Sequence, residues 1–331
     1  MNSRADILSL LNGSKLDSPP AFSGLIHVTA EGLQSEGFAL HEVHHDAGKM
    51  ARAAASTFKL TGIPSATLPL DLCMPAEALG AELNYGGEGF PQVRRAVMES
   101  AKEIGRLETG ELENWRSGRI GLVCEAMRLV KEDVGNEVAI SGMIPGPYTL
   151  LLYLCNPKNL FVEMKKEPQL VLDALFRLSS FLSKIGNAYR NAGADFITIH
   201  EMGGSPGFIG PAKFEQFVLP ALKELHANLP SPRVLSVCGN TNKSVAALAQ
   251  SGAEAISVDQ LNDLATAREL LKDTLLFGNL DPVATLWMGD EALVVESTRR
   301  AKEAGVDAVW PGCDLVLQTP IRNLRALVNA T

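Results

Sequence analysis

Three stretches decide the fold: AGADFITIHE (192–201), SGAEAISVD (251–259) and AGVDAVWPGCD (304–314). Each reads as a helix ending at a small residue and a glycine, followed by a short apolar strand. Gly193, Gly252 and Gly305 stand where a left-handed residue ends a helix without a Cβ penalty. The residues that follow are apolar with an acid near the start, as expected of a strand buried on both faces. Read outward, the same signal predicts eight strands, at 20–26, 66–72, 138–144, 195–200, 233–238, 254–259, 274–279 and 307–311. Helical patterns fall at 91–105, 113–132, 167–191, 212–228, 241–251, 262–272 and 291–304, and a last helix at 320–330. Strands alternating with helices eight times predict an α/β fold, the (β/α)8 barrel. We expect one domain over residues 1–331, with an N-terminal helical extension and a long insertion after the second strand, at about 74–137. A doubly wound open sheet is the rival, but no glycine-rich phosphate turn follows the first strand.

Composition narrows the function classes. The 331 residues carry a net charge of −8, and an acidic chain without basic clusters is not built to track phosphates, so nucleic acid is not an expected partner. No apolar run approaches the roughly 18 residues of a membrane span. The N-terminal MNSRADILSLLNGSKLDSPP has no signal-type apolar region, and a cytoplasmic location is expected. The five cysteines are odd in number and scattered, which is not a disulfide framework.

Barrel enzymes work at the C-terminal ends of their strands, and reactive residues collect there in this chain. Asp71 and Cys73 stand at the end of the second strand, His200 and Glu201 end the fourth, and Cys238 and Asn240 end the fifth. Asp259 ends the sixth, Asn279 the seventh and Cys313 the eighth. Two thiolates and a carboxylate converging on a barrel mouth suit Zn²⁺. An open fourth position would depress the pKa of a substrate thiol and make a nucleophile of it. The bland reading of Cys238 and Cys313 is that they are small buried hydrophobes.

The segments LSVCGNTNKSVAALAQSGAEAISVD (235–259), FGNLDP (277–282) and VWPGCDLVLQTPIRNLRALVNA (309–330) resemble the uroporphyrinogen decarboxylase superfamily. Within it they are most similar to the methylcobamide:coenzyme M methyltransferase branch. LPLDLCMPAEALGAEL (68–83), ISGMIPGPYTL (140–150) and IGPAKFEQFVLPALKEL (209–225) match in the same order. The resemblance implies a (β/α)8 barrel and, for that branch, zinc held by a histidine, a cysteine two residues on and a second cysteine near the C-terminus. The cysteines carry over as Cys238 and Cys313, but the histidine position holds Ser236. A hydroxyl is a poor zinc ligand beside imidazole. Asp259, Glu201 or a water completes the set, or no zinc binds; we expect a retained zinc completed by a carboxylate.

The resemblance also implies transfer of a methyl group from a methylated corrinoid, a methylcobalamin carried by a partner protein, to a small acceptor. That acceptor is a coenzyme M-like thiol or tetrahydrofolate. The alternatives are a uroporphyrinogen decarboxylase-like decarboxylase and a non-catalytic binding relative; the family reading also admits a homodimer. The decarboxylase branch carries an arginine-rich N-terminal segment, whereas PAFSGLIHV (20–28) has no arginine, leaving a polyacidic porphyrinogen little to pair with. His200 and Glu201 face opposite sides of their strand, and Glu201 is the one expected in the mouth. Glu201 and Asp259 are the candidate catalytic residues. Asp71, Cys73, Asn240 and Asn279 are the candidates for binding substrate. His41, His44 and His45 read as a surface helix away from the strand ends.

Overall fold

The doubly buried runs pair as one curled parallel sheet. In a computed structural model, which describes residues 3–86, 89–107 and 118–331, its strands are β1 Ser65–Leu68, β2 Ala139–Pro145, β3 Phe196–Glu201, β4 Arg233–Val237, β5 Ala255–Val258, β6 Leu275–Leu280 and β7 Ala308–Pro311. They are hydrogen-bonded in that order. Helices alternate with them on the outside, so both faces of each strand lose water. The helix Pro168–Ala192 buries Val171, Leu175, Leu178, Leu182, Ile185 and Tyr189, three or four residues apart and therefore on one face. The three glycines read as helix ends do take positive φ: Gly193 at 119°, Gly252 at 93° and Gly305 at 88°. The architecture is the α/β, TIM-barrel-like one. Among the described residues no helix is long and apolar enough to cross a membrane.

The expected first strand, 20–26, is reduced to a single bridge between Ala21 and Val309. The segment nevertheless closes the circuit. On one side Val309 donates to the Pro20 carbonyl (2.9 Å); on the other Thr67 Oγ1 donates to the Ser23 carbonyl (3.2 Å). Pro19 and Pro20 lack the N–H a ladder needs. At Gly24 the backbone dips into the barrel, where a Cβ would stand 2.1 Å from Thr198 Oγ1 and 2.8 Å from the Trp310 ring. Below the mouth the interior is filled by Phe22, Phe196, Phe277 and Trp310, packed with centroids 5.1–6.1 Å apart. That plug fills the barrel below its C-terminal mouth.

Other expectations are trimmed. The strand expected over 66–72 stops at Leu68 because Pro69 cannot donate to the ladder. The helix expected over 91–105 is confined to Ala101–Ile104, where Ser100 and Glu103 form a capping box that sets its start. Gln92–Val93 instead pairs antiparallel with Leu83–Asn84. Of the helix expected over 113–132, residues 113–117 lie outside the described residues and Arg119–Asp133 is helical.

Candidate metal centre

Alternation along β3 decides the site. Phe196 and Thr198 point into the barrel, against Phe22 and Ser141 Oγ (2.8 Å), so His200 two residues on points the same way. Cys238 follows the last residue of β4 on its inward face, and Cys313 lies two residues beyond β7. The His200 Nε2 is 3.0 Å from Cys238 Sγ and 3.8 Å from Cys313 Sγ, and the sulfurs are 2.7 Å apart. All three ligand atoms lie within 4.8 Å of one another, the one such His/Cys/carboxylate group among the described residues.

This donor set fits a borderline-soft cation. Zinc bonds to sulfur and nitrogen at about 2.0–2.3 Å with tetrahedral angles, placing neighbouring ligand atoms about 3.5 Å apart, a separation that the observed ones bracket. Three protein ligands also leave a fourth position open. The other imidazole nitrogen, Nδ1, has no hydrogen-bond partner and faces Asp314 Oδ2 at 3.6 Å. Asp314 is held by the Ile26 N–H on its other oxygen (2.8 Å). This carboxylate–imidazole arrangement orients a histidine toward a metal.

The electrostatics are those of a charged pair. Burial alone would lower the His200 pKa, but Asp314 and Cys313 outweigh it and raise it to about 9. The Cys313 thiol is pushed well down, chiefly by the hydrogen bond from Cys238 and then by His200. Cys238, the donor in that bond, is pushed up. Burial raises Asp314 to about 6 against the pull of His200. The pocket thus stabilises a thiolate.

The structure brings His200, and neither expected carboxylate, to the cysteines. Glu201 points the other way and is buried, accepting from the N–H groups of Tyr148 (3.1 Å), Thr149 (3.0 Å) and Gly204 (2.9 Å) and from the Thr149 hydroxyl. It ties the loop after β3 to the start of the helix Pro147–Leu154. Burial raises its pKa against those bonds. Asp259 accepts from the N–H groups of Gly239 (3.0 Å) and Leu261 (2.8 Å), stapling the ends of β4 and β5 together. Ser236 is buried with no partner for its hydroxyl.

Two cavities flank the cluster, sharing Tyr153 and Met202. One, of about 460 Å³, is lined by Asp314, Asp71, Cys73, Gln92 and Tyr153 among others. The second, of about 560 Å³, reaches Cys238 and Asn240 and is walled by Leu152, Phe208 and Leu261. Of the expected substrate-binding residues, Asp71, Cys73 and Asn240 line these cavities, whereas the Asn279 side chain donates to the carbonyls of Asp259 (3.2 Å) and Asn262 (3.0 Å). The Cys73 thiol donates to the Pro91 carbonyl (3.4 Å), and burial pushes its pKa up to about 12. Asp71 is itself paired with Arg119 and lies 3.2 Å from His44 Nδ1. The reading of His44 as a surface residue is therefore corrected: the turn Leu40–His44 carries it, fully buried, to the mouth.

The sequence matches the uroporphyrinogen decarboxylase (URO-D) family over residues 2–331. A methylcobamide:CoM methyltransferase of Methanosarcina acetivorans is 31% identical over 334 residues, covering 96% of this chain and 94% of that protein. One of Methanosarcina barkeri is 31% identical over 327 residues, covering 98% and 96%. A solved methyltransferase structure from Methanosarcina mazei superposes with a TM-score of 0.93 at 29% identity, over 100% of this chain and 98% of that one.

Proposed function

We propose, for a chain that belongs to the uroporphyrinogen decarboxylase family, transfer of a methyl group from a methylated corrinoid on a partner protein to a small thiol. It is a methyltransferase, and the observation that carries the thiol reading is the convergence of His200, Cys238 and Cys313 on one point. His200 Nε2 and the two sulfurs would hold zinc, with Asp314 steadying the imidazole. Bound there, the ion would keep an acceptor thiol ionised at neutral pH. The acceptor sulfur gains the methyl carbon as that carbon leaves cobalt without the bonding pair, and the thiol proton goes to solvent.

The rest of the mouth serves approach and exclusion. Phe208 and Leu261 are 62% and 58% exposed beside Cys238, an apolar opening suited to the face of a corrinoid. The decarboxylase alternative asks for free cations at the mouth. Among the described residues, the guanidinium beside Asp71, Arg119, is spent on Asp71, on Glu77 (2.9 Å), on the Tyr85 hydroxyl (2.8 Å) and on the His44 carbonyl (3.1 Å). All five cysteines are unpaired, which fits a cytoplasmic setting.

The test is metal content after purification without added zinc. We expect about one zinc per chain, reduced at least tenfold in His200→Ala and in the Cys238→Ser, Cys313→Ser double variant, with folding intact by circular dichroism. A folded wild-type protein that takes up no zinc on titration would remove the thiol-activation reading.

A further inference from the structure

We infer that the mouth is divided into two chambers with separate occupants, and that Tyr153 and Met202 are the wall between them. The thiol acceptor lodges its tail in the cavity of about 460 Å³, and the methyl-bearing face of the corrinoid addresses the cavity of about 560 Å³. This rests on the thiol reading above and assigns its two reactants to places. Among the described residues the two cavities have no other lining residue in common. Both reach the cluster, the first at Asp314, which faces His200, and the second at Cys238. Displacement at a methyl carbon needs the attacking sulfur and the departing cobalt aligned on opposite sides of that carbon. Two chambers that meet at one cluster let both reactants be bound at once without competing for the same space.

The linings suit the two occupants. In the larger chamber the polar side chains are turned to the protein. The Ser205 hydroxyl donates to the Cys238 carbonyl (2.6 Å), the Thr149 hydroxyl donates to Glu201, and Asn240 Oδ1 accepts from Asn242 (3.0 and 3.2 Å). What remains is the apolar surface of Leu152, Phe208 and Leu261, on which a macrocycle too broad to sink can rest. The smaller chamber keeps the Gln92 side-chain amide, which bonds to no other described residue and can donate to or accept from a small tail. The wall is held from behind. Met202 follows β3, and Tyr153 lies on the helix Pro147–Leu154. The Met202 and Gly203 N–H groups donate to Thr149 Oγ1 (2.9 Å each), and Glu201 accepts from both elements. Glu201 and Thr149 are thus positioning residues for a wall whose flexible thioether is its adjustable part.

The experiment uses the zinc-loaded full chain, with 2-mercaptoethanol and 2-mercaptoethanesulfonate as acceptor probes and free methylcobalamin as donor. Thiol binding is read by calorimetry without corrinoid, and KM for each reactant by the loss of methylcobalamin absorption. Gln92 and Leu261 are exposed, so changing either leaves the core intact. Gln92→Trp should weaken thiol binding and raise the thiol KM at least fivefold, with the methylcobalamin KM within twofold of wild type. Leu261→Glu should do the reverse. Met202→Ala should raise both KM values, and Met202→Leu should move neither beyond twofold. A crossed pattern, a single-chamber variant that moves both values equally, or Met202→Ala moving one value alone overturns the inference, while methyl transfer by the wild type keeps the thiol reading. Thiol binding without methyl transfer sinks that reading; the smaller chamber as the thiol site then stands if Gln92→Trp, and not Leu261→Glu, weakens binding, and falls otherwise. No binding of either thiol overturns both.

Discussion

Glu201 shows how one carboxylate can be fully occupied a single residue away from a reactive centre. Its side chain holds three backbone N–H groups and a hydroxyl in a buried place, and donors left without an acceptor there cost about 1–3 kcal/mol each. Glu201→Ala should therefore lose about 3 kcal/mol or more of stability in chemical denaturation, while the folded variant still takes up about one zinc per chain. Loss of the metal from well-folded Glu201→Ala would mean that the carboxylate reaches the ion after all. The pair His200–Glu201 was legible in the sequence as a strand end with one side chain in the mouth, because alternation is a property of any strand. Which of the two faces inward was not. Ile197 and Ile199 on one side and Phe196 and Thr198 on the other are all buried, so hydrophobicity gives no sign in a strand covered on both faces. Thr198 was the available hint, since a buried hydroxyl needs a partner inside the barrel.

At the scale of elements, the register between β3 and β4 explains how the histidine can change strands. His200 and Ser236 are direct partners across that parallel pair, and partners in a parallel ladder present their side chains to the same face. An imidazole on either strand therefore reaches the same region above Cys238. In His200→Ala the metal should be lost, and adding Ser236→His should restore at least half of it, as read by metal analysis of the two folded variants. A double variant that folds but stays metal-free would show that the two positions are not equivalent. The strand ends themselves were readable from AGADFITIHE and its two counterparts, because glycine caps and apolar runs are local signals. Register is not local. It is set by which strands pair and how far each slides, so the approach of His200 to the cysteines could not be read from either segment alone. The same limit applies to His44, whose turn is brought to Asp71 by packing that no short window of sequence contains.

For the whole molecule, acid sensitivity follows from a histidine far from the mouth. His226, on the helix Leu219–Ala227, is buried with Nδ1 2.9 Å from the Ser251 carbonyl, and burial lowers its pKa to about 4. In the unfolded chain a histidine titrates near 6.5. Between those values the unfolded state binds more protons, so stability is fully present above about pH 6.5 and falls as pH drops toward 4, by about 3 kcal/mol in all. The urea midpoint should decline over that range in the wild type and decline less steeply in His226→Gln; equal slopes would place the acid sensitivity elsewhere. The order of the sheet and the outer helices was foreseeable from eight repeats of one local pattern, whereas the segment 20–26 reads as a strand and fails to be one because Gly24 lets it sink against Thr198 and Trp310. The aromatic plug it helps to form has a kinetic meaning. A vessel stoppered at its base has one doorway, and a donor as broad as a corrinoid covers that doorway when it arrives. In the reaction we propose, a small acceptor would be seated before such a donor arrives and its methylated product released after the donor leaves, an order that follows from the fill of Phe22, Phe196, Phe277 and Trp310 below the mouth.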